Sequence, residues 1–218
     1  MISLEVNAET PLRIGLVGEN EISRDSKNQV TGVNAEHVNC ILAKIGYYKM
    51  QSLPSSARIT EEIRKGGVDI GLFLGRMKER DQHAQFYDFG WKPVVIRLYS
   101  KLAKGKLRPD NQGTLGVRSN SPLESLAAKM GFNKVARIPK AQQLLGMLQL
   151  DRIDYYLEAD EIFSVEVKKL KLQGKTFFST EVKNIKIGAY LSNLMLTSRP
   201  KFMETWRQAD GKCKQSLP

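Results

Sequence analysis

The chain is poor in the residues that most often advertise chemistry. Its 218 residues include two histidines and two cysteines, and the cysteines lack the paired spacing of a structural zinc site. Phosphate-loop, GxGxxG, HExxH and GxSxG patterns are all missing. Sequence support for a nucleotide-dependent enzyme, a zinc protease or a serine hydrolase is therefore absent. No apolar run approaches the roughly 18 residues of a membrane-spanning helix, so any membrane association is peripheral at most. The opening stretch, MISLEVNAETP, has neither a basic start nor an apolar centre and does not read as an intact signal peptide. There is no internal repeat and no low-complexity tract.

What is present describes ordinary globular material. Apolar residues make up 41% and charged residues 26%, and the length suits one large domain or two small lobes. Net charge is +11, and it is unevenly spread. Residues 94–187 hold 17 Lys+Arg against 9 Asp+Glu, while the rest holds 17 against 14. Such a basic middle segment favours acidic ligands or surfaces. The lysines are scattered and accompany no nucleic-acid-binding motif, so nucleic acid is not the expected partner.

Strand and helix signals alternate. Residues 12–17 read as a first strand, 18–34 as a polar, acidic loop, and 34–45 as an amphipathic helix with Ala35, Val38, Ile41, Leu42 and Ile45 on its apolar stripe. A strand at 49–53 and a helix from Pro54-Ser55-Ser56 to Gly66-Gly67 follow, the glycine pair supplying the left-handed cap. Residues 68–73 form the next strand. A second alternation comprises strands at 94–99, 114–117, 135–138 and 153–157 with helices at 121–131, 141–148 and 160–169. The helix at 121 is signposted by Ser121 as N-cap, Pro122 in the first turn and Glu124 completing a capping box. Strands at 177–182 and 186–191 and a helix at 200–209, stopping at Gly211, end the chain. The pattern implies α/β units with parallel pairing and helical crossovers. They form two lobes joined twice, near 91–95 and 186–190. The first lobe is 12–93 plus 186–218, the second 94–185, and residues 1–11 are an unstructured extension.

Cys40 lies nearly opposite the apolar stripe of its helix. Held off the core face, it is a candidate for a disulfide with Cys213; two free thiols are the alternative. His37 and His83 read as surface residues.

The most informative stretch is 66–93, GGVDIGLFLGRMKERDQHAQFYDFGWKP. A buried strand that delivers an arginine to its carboxyl edge presents a guanidinium to an anionic ligand. The competing reading places Arg80 on a solvated turn, paired with Glu79 or Asp81. The succession Gly67-Val68-Asp69-Ile70, a polar turn ending in Glu79-Arg80, then Asp88-Phe89 and Pro93 resembles the type II periplasmic solute-binding proteins. These are extracellular family 3 proteins related to the substrate-binding subunits of amino-acid ABC transporters. The resemblance runs from Leu12 to Gly211 as pattern rather than identity.

It implies an α/β, two-lobe periplasmic-binding-protein-like type II fold with a double hinge connection, closing on a ligand held between the lobes. In the family Arg80 clamps the ligand's carboxylate. The loop Arg118-Ser119-Asn120-Ser121 touches the ligand, with Ser121 at the hydroxyl position and Asn120 where glycine is usual. The acid that receives the ligand's amine falls near Ala159, with Glu158 and Asp160 on either side; Asp160 also reads as an N-cap. The chain departs from the family at Gly75 and Met77, where hydroxyl residues are usual. It departs again at Glu19-Asn20-Glu21, where a proline-aromatic stretch is usual. Glu19 is thus a candidate contact, and Trp91 or Phe89 a candidate apolar wall. Ordinary amino acids are accordingly not the expected ligand.

The expected function is that of a non-catalytic, monomeric, periplasmic solute-binding protein, its signal peptide removed, with no cofactor and no metal. It would capture a small anionic or zwitterionic molecule for an ABC permease or a sensor kinase. Alternatives are a dehydratase on the same fold, using Arg80 with Glu158 or Glu19, and the sensory module of a receptor.

Overall fold

The computed structural model describes residues 10–17, 23–25, 29–46, 48–102 and 112–216. Residues 1–9, most of the expected N-terminal extension, lie outside them, as does Glu19. The chain divides into two units, one of Met1–Gly90 with Gly188–Pro218 and one of Trp91–Ile187.

The first unit opens with strands β1 (Leu12–Val17), β2 (Ser23–Arg24) and β3 (Val30–Thr31), then helix α1 (Ala35–Ile45), β4 (Tyr48–Leu53) and α2 (Ser56–Lys65). The Ser55 hydroxyl caps α2 by accepting from the Arg58 N–H, and Gly66 ends it at φ 75, as the glycine pair foretells. Next come β5 (Ile70–Gly75), the short helix α3 (Lys78–Asp81) and β6 (Ala84–Asp88). The strand expected at 68–73 thus starts two residues later. Asp69 is occupied before it, its carboxylate taking the Arg13 backbone N–H and both ends of the Arg13 guanidinium fork.

The second unit runs β7 (Val94–Ser100), β8 (Thr114–Arg118), α4 (Leu123–Lys129), β9 (Lys134–Ile138), α5 (Ala141–Gln149), β10 (Tyr155–Ala159), α6 (Asp160–Lys169) and β11 (Phe178–Ile185). The chain then returns to the first unit through β12 (Ile187–Ser192), α7 (Asn193–Ser198) and α8 (Phe202–Ser216). Gly188 is required at this return, because a Cβ there would collide with the Tyr87 carbonyl on the paired strand β6.

Each unit is built on a five-stranded sheet, in the orders β4-β1-β5-β12-β6 and β11-β7-β10-β8-β9. Pairing is parallel for β4-β1-β5 and for β10-β8-β9. It is antiparallel where β6 joins β12, and where β7 joins β10 and β11. Purely parallel pairing is therefore corrected. The aromatic stretch at 84–88 supplies an edge strand, with Phe86 and Tyr87 half-buried.

Burial follows the apolar periods. In the first unit Leu12, Ile14 and Leu16 of β1 are buried, as are Val38, Ile41 and Leu42 of α1. The second unit carries apolar clusters on both faces of its sheet. One gathers Val117, Leu123, Ala127 and Leu157, the other Leu144, Leu148, Tyr156 and Phe163. This two-faced burial is what a sheet with crossover helices on each side demands.

Several expectations give way. His37 is buried rather than on the surface: its Nε2 lies 2.9 Å from Asp210 Oδ1, and its ring packs edge-on against Phe89. The other Asp210 oxygen, Oδ2, accepts from the Tyr87 hydroxyl at 2.7 Å and from Lys214 at 2.8 Å. Burial, followed by that bond to Asp210, holds the Tyr87 pKa well above the ordinary tyrosine value. His83 is half-buried. Gly211 does not stop the last helix. It faces open space, with nothing within 4 Å of where a Cβ would stand, and α8 continues through it. The continuation carries Cys213, fully buried, to Cys40 on α1, and the two are disulfide-bonded with Cα atoms 5.9 Å apart.

Candidate functional site

In the first unit β5 ends at Gly75, and the turn into α3 brings Arg80 back beneath the carboxyl end of the strand. The solvated-turn reading of Arg80 fails, since the residue is 4% exposed. Its Nε donates to Thr60 Oγ1 at 2.8 Å and its Nη1 to the Gly75 carbonyl at 2.6 Å. The guanidinium also stands 5.9 Å from the centre of the Tyr190 ring, within cation–π range. Among the described residues it has no carboxylate partner, and Nη2 has no acceptor. Burial pulls its pKa below the ordinary arginine value, only partly opposed by Tyr190 and Glu79. A buried cation held by neutral acceptors alone is costly.

Tyr190 fixes the turn as well as the arginine. Its hydroxyl accepts from the Met77 N–H at 2.9 Å and donates to Asp81 Oδ1 at 2.9 Å. Its own pKa is pushed up to about 12, first by burial. Gly75 and Met77, which lack the expected hydroxyls, thus contribute backbone groups. Thr60 and Tyr190 were not singled out in the sequence. The available signals were one hydroxyl beside Ile59 on the buried side of α2, and one polar-tipped ring inside the apolar run Ala189-Tyr190-Leu191.

In the second unit Arg118 ends β8 and Glu158 lies near the end of the adjacent parallel strand β10. Glu158 is fully buried. It receives Arg118 Nε at 2.5 Å and Arg118 Nη2 at 3.1 Å, the Tyr156 hydroxyl at 3.0 Å and the Ala159 N–H at 2.8 Å. Burial first, and then the Glu158 charge, raise the Tyr156 pKa far above the ordinary tyrosine range. Asp160 does not cap α6; Ala159 occupies that position with no side-chain bond. Asp160 instead accepts from the Tyr99 hydroxyl and lies 3.5 Å from Arg97 Nε.

The expected capping box is displaced. Helix α4 starts at Leu123, with Pro122 at the cap position and no side-chain cap bond. Ser121 Oγ turns back and donates to the Arg118 carbonyl at 2.7 Å. The Glu124 carboxylate accepts from the Asn120 N–H rather than from residue 121. Asn120 sits at φ 58, which explains how it stands where glycine is usual: asparagine tolerates the left-handed region. Asn120→Ala is therefore expected to cost about 1 kcal/mol, while Asn120→Gly stays within roughly 0.5 kcal/mol of the parent. Urea denaturation of both variants checks this, and equal stability of the two would contradict it.

Of the remaining candidates, Trp91 is half-buried, whereas Phe89 is core, packed against His37, Tyr87 and Trp206. Among the described residues no cluster of three metal-ligating side chains occurs, and no helix is long and apolar enough to cross a membrane.

No protein-family model matches the chain, and no curated protein does. Solved structures do. The GluR0 ligand-binding core from Nostoc punctiforme, in complex with (L)-glutamate, aligns with TM-score 0.73 at 15% identity, covering 94% of each chain. A histidine kinase sensor domain with similarity to periplasmic binding proteins aligns with TM-score 0.72 at 11% identity, over 94% of this chain and 91% of that one. The substrate-binding protein of an amino acid ABC transporter aligns with TM-score 0.68 at 15% identity, over 95% and 94%. The chain has the type II periplasmic-binding-protein fold.

Proposed function

We propose that this chain is a non-catalytic solute-binding protein that captures a small anionic or zwitterionic molecule. The observation that carries the proposal is Arg80. It is buried, aligned by Thr60, Gly75 and Tyr190, and, among the described residues, without a carboxylate bonded to it. A ligand carboxylate at Nη2 completes that environment, through a charge-assisted bond worth on the order of 1.5–3 kcal/mol. The position agrees with the general placement of ligands at the carboxyl ends of strands in open α/β sheets.

The structural neighbours support a binding role, because their descriptions name a ligand-binding core, a sensor domain and a transporter's binding protein. The finer reading is a monomeric, periplasmic protein that reports capture to an ABC permease or to a sensor kinase through a shift in conformer population. The dehydratase alternative draws no support from Glu158, whose oxygens are engaged by Arg118, Tyr156 and the Ala159 amide.

A thermal-shift screen of small carboxylates should yield at least one stabilising compound. Arg80→Ala should then weaken its binding at least about tenfold while the far-ultraviolet dichroism stays native. Unchanged affinity in that variant would remove Arg80 from the site and the proposal with it.

A further inference from the structure

The charge of residues 94–187 is sorted by position within the second unit. The parallel strands β8, β9 and β10 begin at one end of the sheet, and β7 finishes there, since Tyr99 pairs with Tyr156 near the start of β10. Strand β11 begins at the same end, with Phe178 opposite Ser100. The turns at this end are basic. Lys101 follows β7, Lys129 and Lys134 flank the turn from α4 to β9, and Arg152 follows α5. Lys168, Lys169, Lys171 and Lys175 run from the last turn of α6 toward β11. These are eight of the 17 Lys+Arg in the segment, and the acids among them are Asp151, Asp154 and Glu166. Six others, on the strands or at the carboxyl edge, are balanced by five acids, and the remaining three lie outside the described residues.

Each of the three acids has a partner. Asp151 accepts from Lys101 at 2.7 Å, Asp154 from the Thr114 N–H at 2.7 Å, and the buried Glu166 from Lys169 at 2.7 Å. The other six cations of this end are exposed and make no ion pair among the described residues. Lys129 and Lys168 suit the carboxyl ends of their helices, but Lys134, Arg152 and Lys175 lie outside any helix. Open α/β sheets bind ligands at the opposite, carboxyl edge, so this excess does not serve a solute there. Two apolar side chains stand out among the lysines, Leu150 at the end of α5 with 62% exposure and Leu102 after Lys101 with 38%. Five strands spaced about 4.8 Å apart make a row about 19 Å wide, on the order of two Debye lengths at physiological salt. Neighbouring turns therefore reinforce one field.

We propose that this end of the second unit docks on an anionic phospholipid membrane, with Lys134, Lys168, Lys171 and Lys175 drawn to the headgroups and Leu150 entering between them. The surface shares no residue with the Arg80 site. Its chemistry favours lipid over an acidic protein. Seven of the eight basic residues are lysines, compact hydrated charges on flexible stems. Protein interfaces are depleted in lysine and favour arginine, whose planar fork matches discrete carboxylates. A lipid surface presents a smeared charge that needs no fork and attracts lysines held within a Debye length of it. Leu150 and Leu102 stand on separate turns rather than in one apolar patch. That arrangement suits single side chains entering the headgroup region, not the packed core of a protein interface.

The test is flotation of the full chain with vesicles of phosphatidylcholine, alone or mixed with phosphatidylglycerol. At about 0.1 M salt the mixed vesicles should hold the protein at least about tenfold more tightly than the neutral ones, and about 1 M salt should remove most of that difference. The triple variant Lys168→Gln, Lys171→Gln, Lys175→Gln should lower the partition at least about tenfold, since each lysine near an anionic surface is worth up to about fivefold. A control triple variant, Lys140→Gln, Lys183→Gln, Lys186→Gln, removes the same charge from exposed positions at the carboxyl edge and should stay within about threefold of the parent. Leu150→Ser should cost about threefold or more at either salt. All these side chains are exposed, and native far-ultraviolet dichroism of each variant confirms its fold. Equal binding to both kinds of vesicle, or a loss in the control that matches the first triple variant, overturns the proposal. Poly-L-glutamate or duplex DNA that strips the protein from vesicles at equal charge would reveal a general polyanion surface, and a silent Leu150→Ser a purely electrostatic one. Either outcome overturns the assignment to lipid.

Discussion

Removal of the Cys40–Cys213 bond is expected to lower the melting temperature by roughly 10–20 °C, taking about 2–4 °C per kcal/mol for a chain of this size. The sequence separation is 173 residues, and closing a loop of that length restricts the unfolded chain by about 5 kcal/mol in the chain-entropy description. Both ends are tied into one small region. Cys40 is on α1 and Cys213 on α8, and the same two helices are joined by the buried His37–Asp210 contact. Reduction therefore frees the terminal helix while its polar anchor stays in place, so the protein should loosen without unfolding at room temperature. Scanning calorimetry with and without reductant measures the difference. A shift below about 3 °C would show that the bond adds little to what packing already supplies.

Breaking the Arg118–Glu158 pair from one side should cost about 3–5 kcal/mol, because the surviving partner is left charged and buried. Glu158 has the larger stake, being fully buried, whereas the Arg118 side chain keeps 21% exposure. Arg118→Met accordingly strands a carboxylate with Tyr156 and one amide, and Glu158→Met strands a guanidinium that can still reach water. Arg118→Met should be the more damaging of the two. The double variant should recover most of the loss, since two methionines of similar volume bury no charge. A urea-denaturation double-mutant cycle reports the coupling. Strictly additive losses would mean that the two side chains do not depend on each other.

The alternation of strand and helix was legible because each element carries its own period. Leu12, Ile14 and Leu16 alternate along β1, and Val38, Ile41 and Leu42 recur at helical spacing on α1. The alternation implies α/β units, and the type II fold is what the resemblance carried by the Arg80 stretch implies. What escaped the sequence was set by tertiary partners. The strand β6 was hidden because its aromatic residues also suit a hinge. The end of α8 was misplaced because Gly211 signals a stop unless something beyond it is pulled inward, as Cys213 is. His37 was assigned to the surface because Asp210, 173 residues further on, is invisible to local spacing.

In the candidate site Arg80 stood out through its place after a buried strand. Thr60 and Tyr190, which aim it, did not, because nothing local distinguishes them from core-lining residues. Ser121 was read as a cap from a valid signal, but the Glu124 half of the box found its donor one residue earlier, at Asn120. Glu158 was noticed as an acid at the right edge, and its pairing with Arg118 became visible only when β8 and β10 were seen as neighbours.

The central claim is that the buried Arg80 guanidinium awaits a ligand's negative charge, and a co-crystal structure with the tightest-binding carboxylate from the thermal-shift screen tests it most directly. The account predicts a ligand carboxylate oxygen about 2.7–2.9 Å from Arg80 Nη2, the length of a charge-assisted bond, with the Thr60 and Gly75 bonds retained. A bound acid whose carboxylate is held elsewhere, with Arg80 Nη2 still unpartnered, would contradict it.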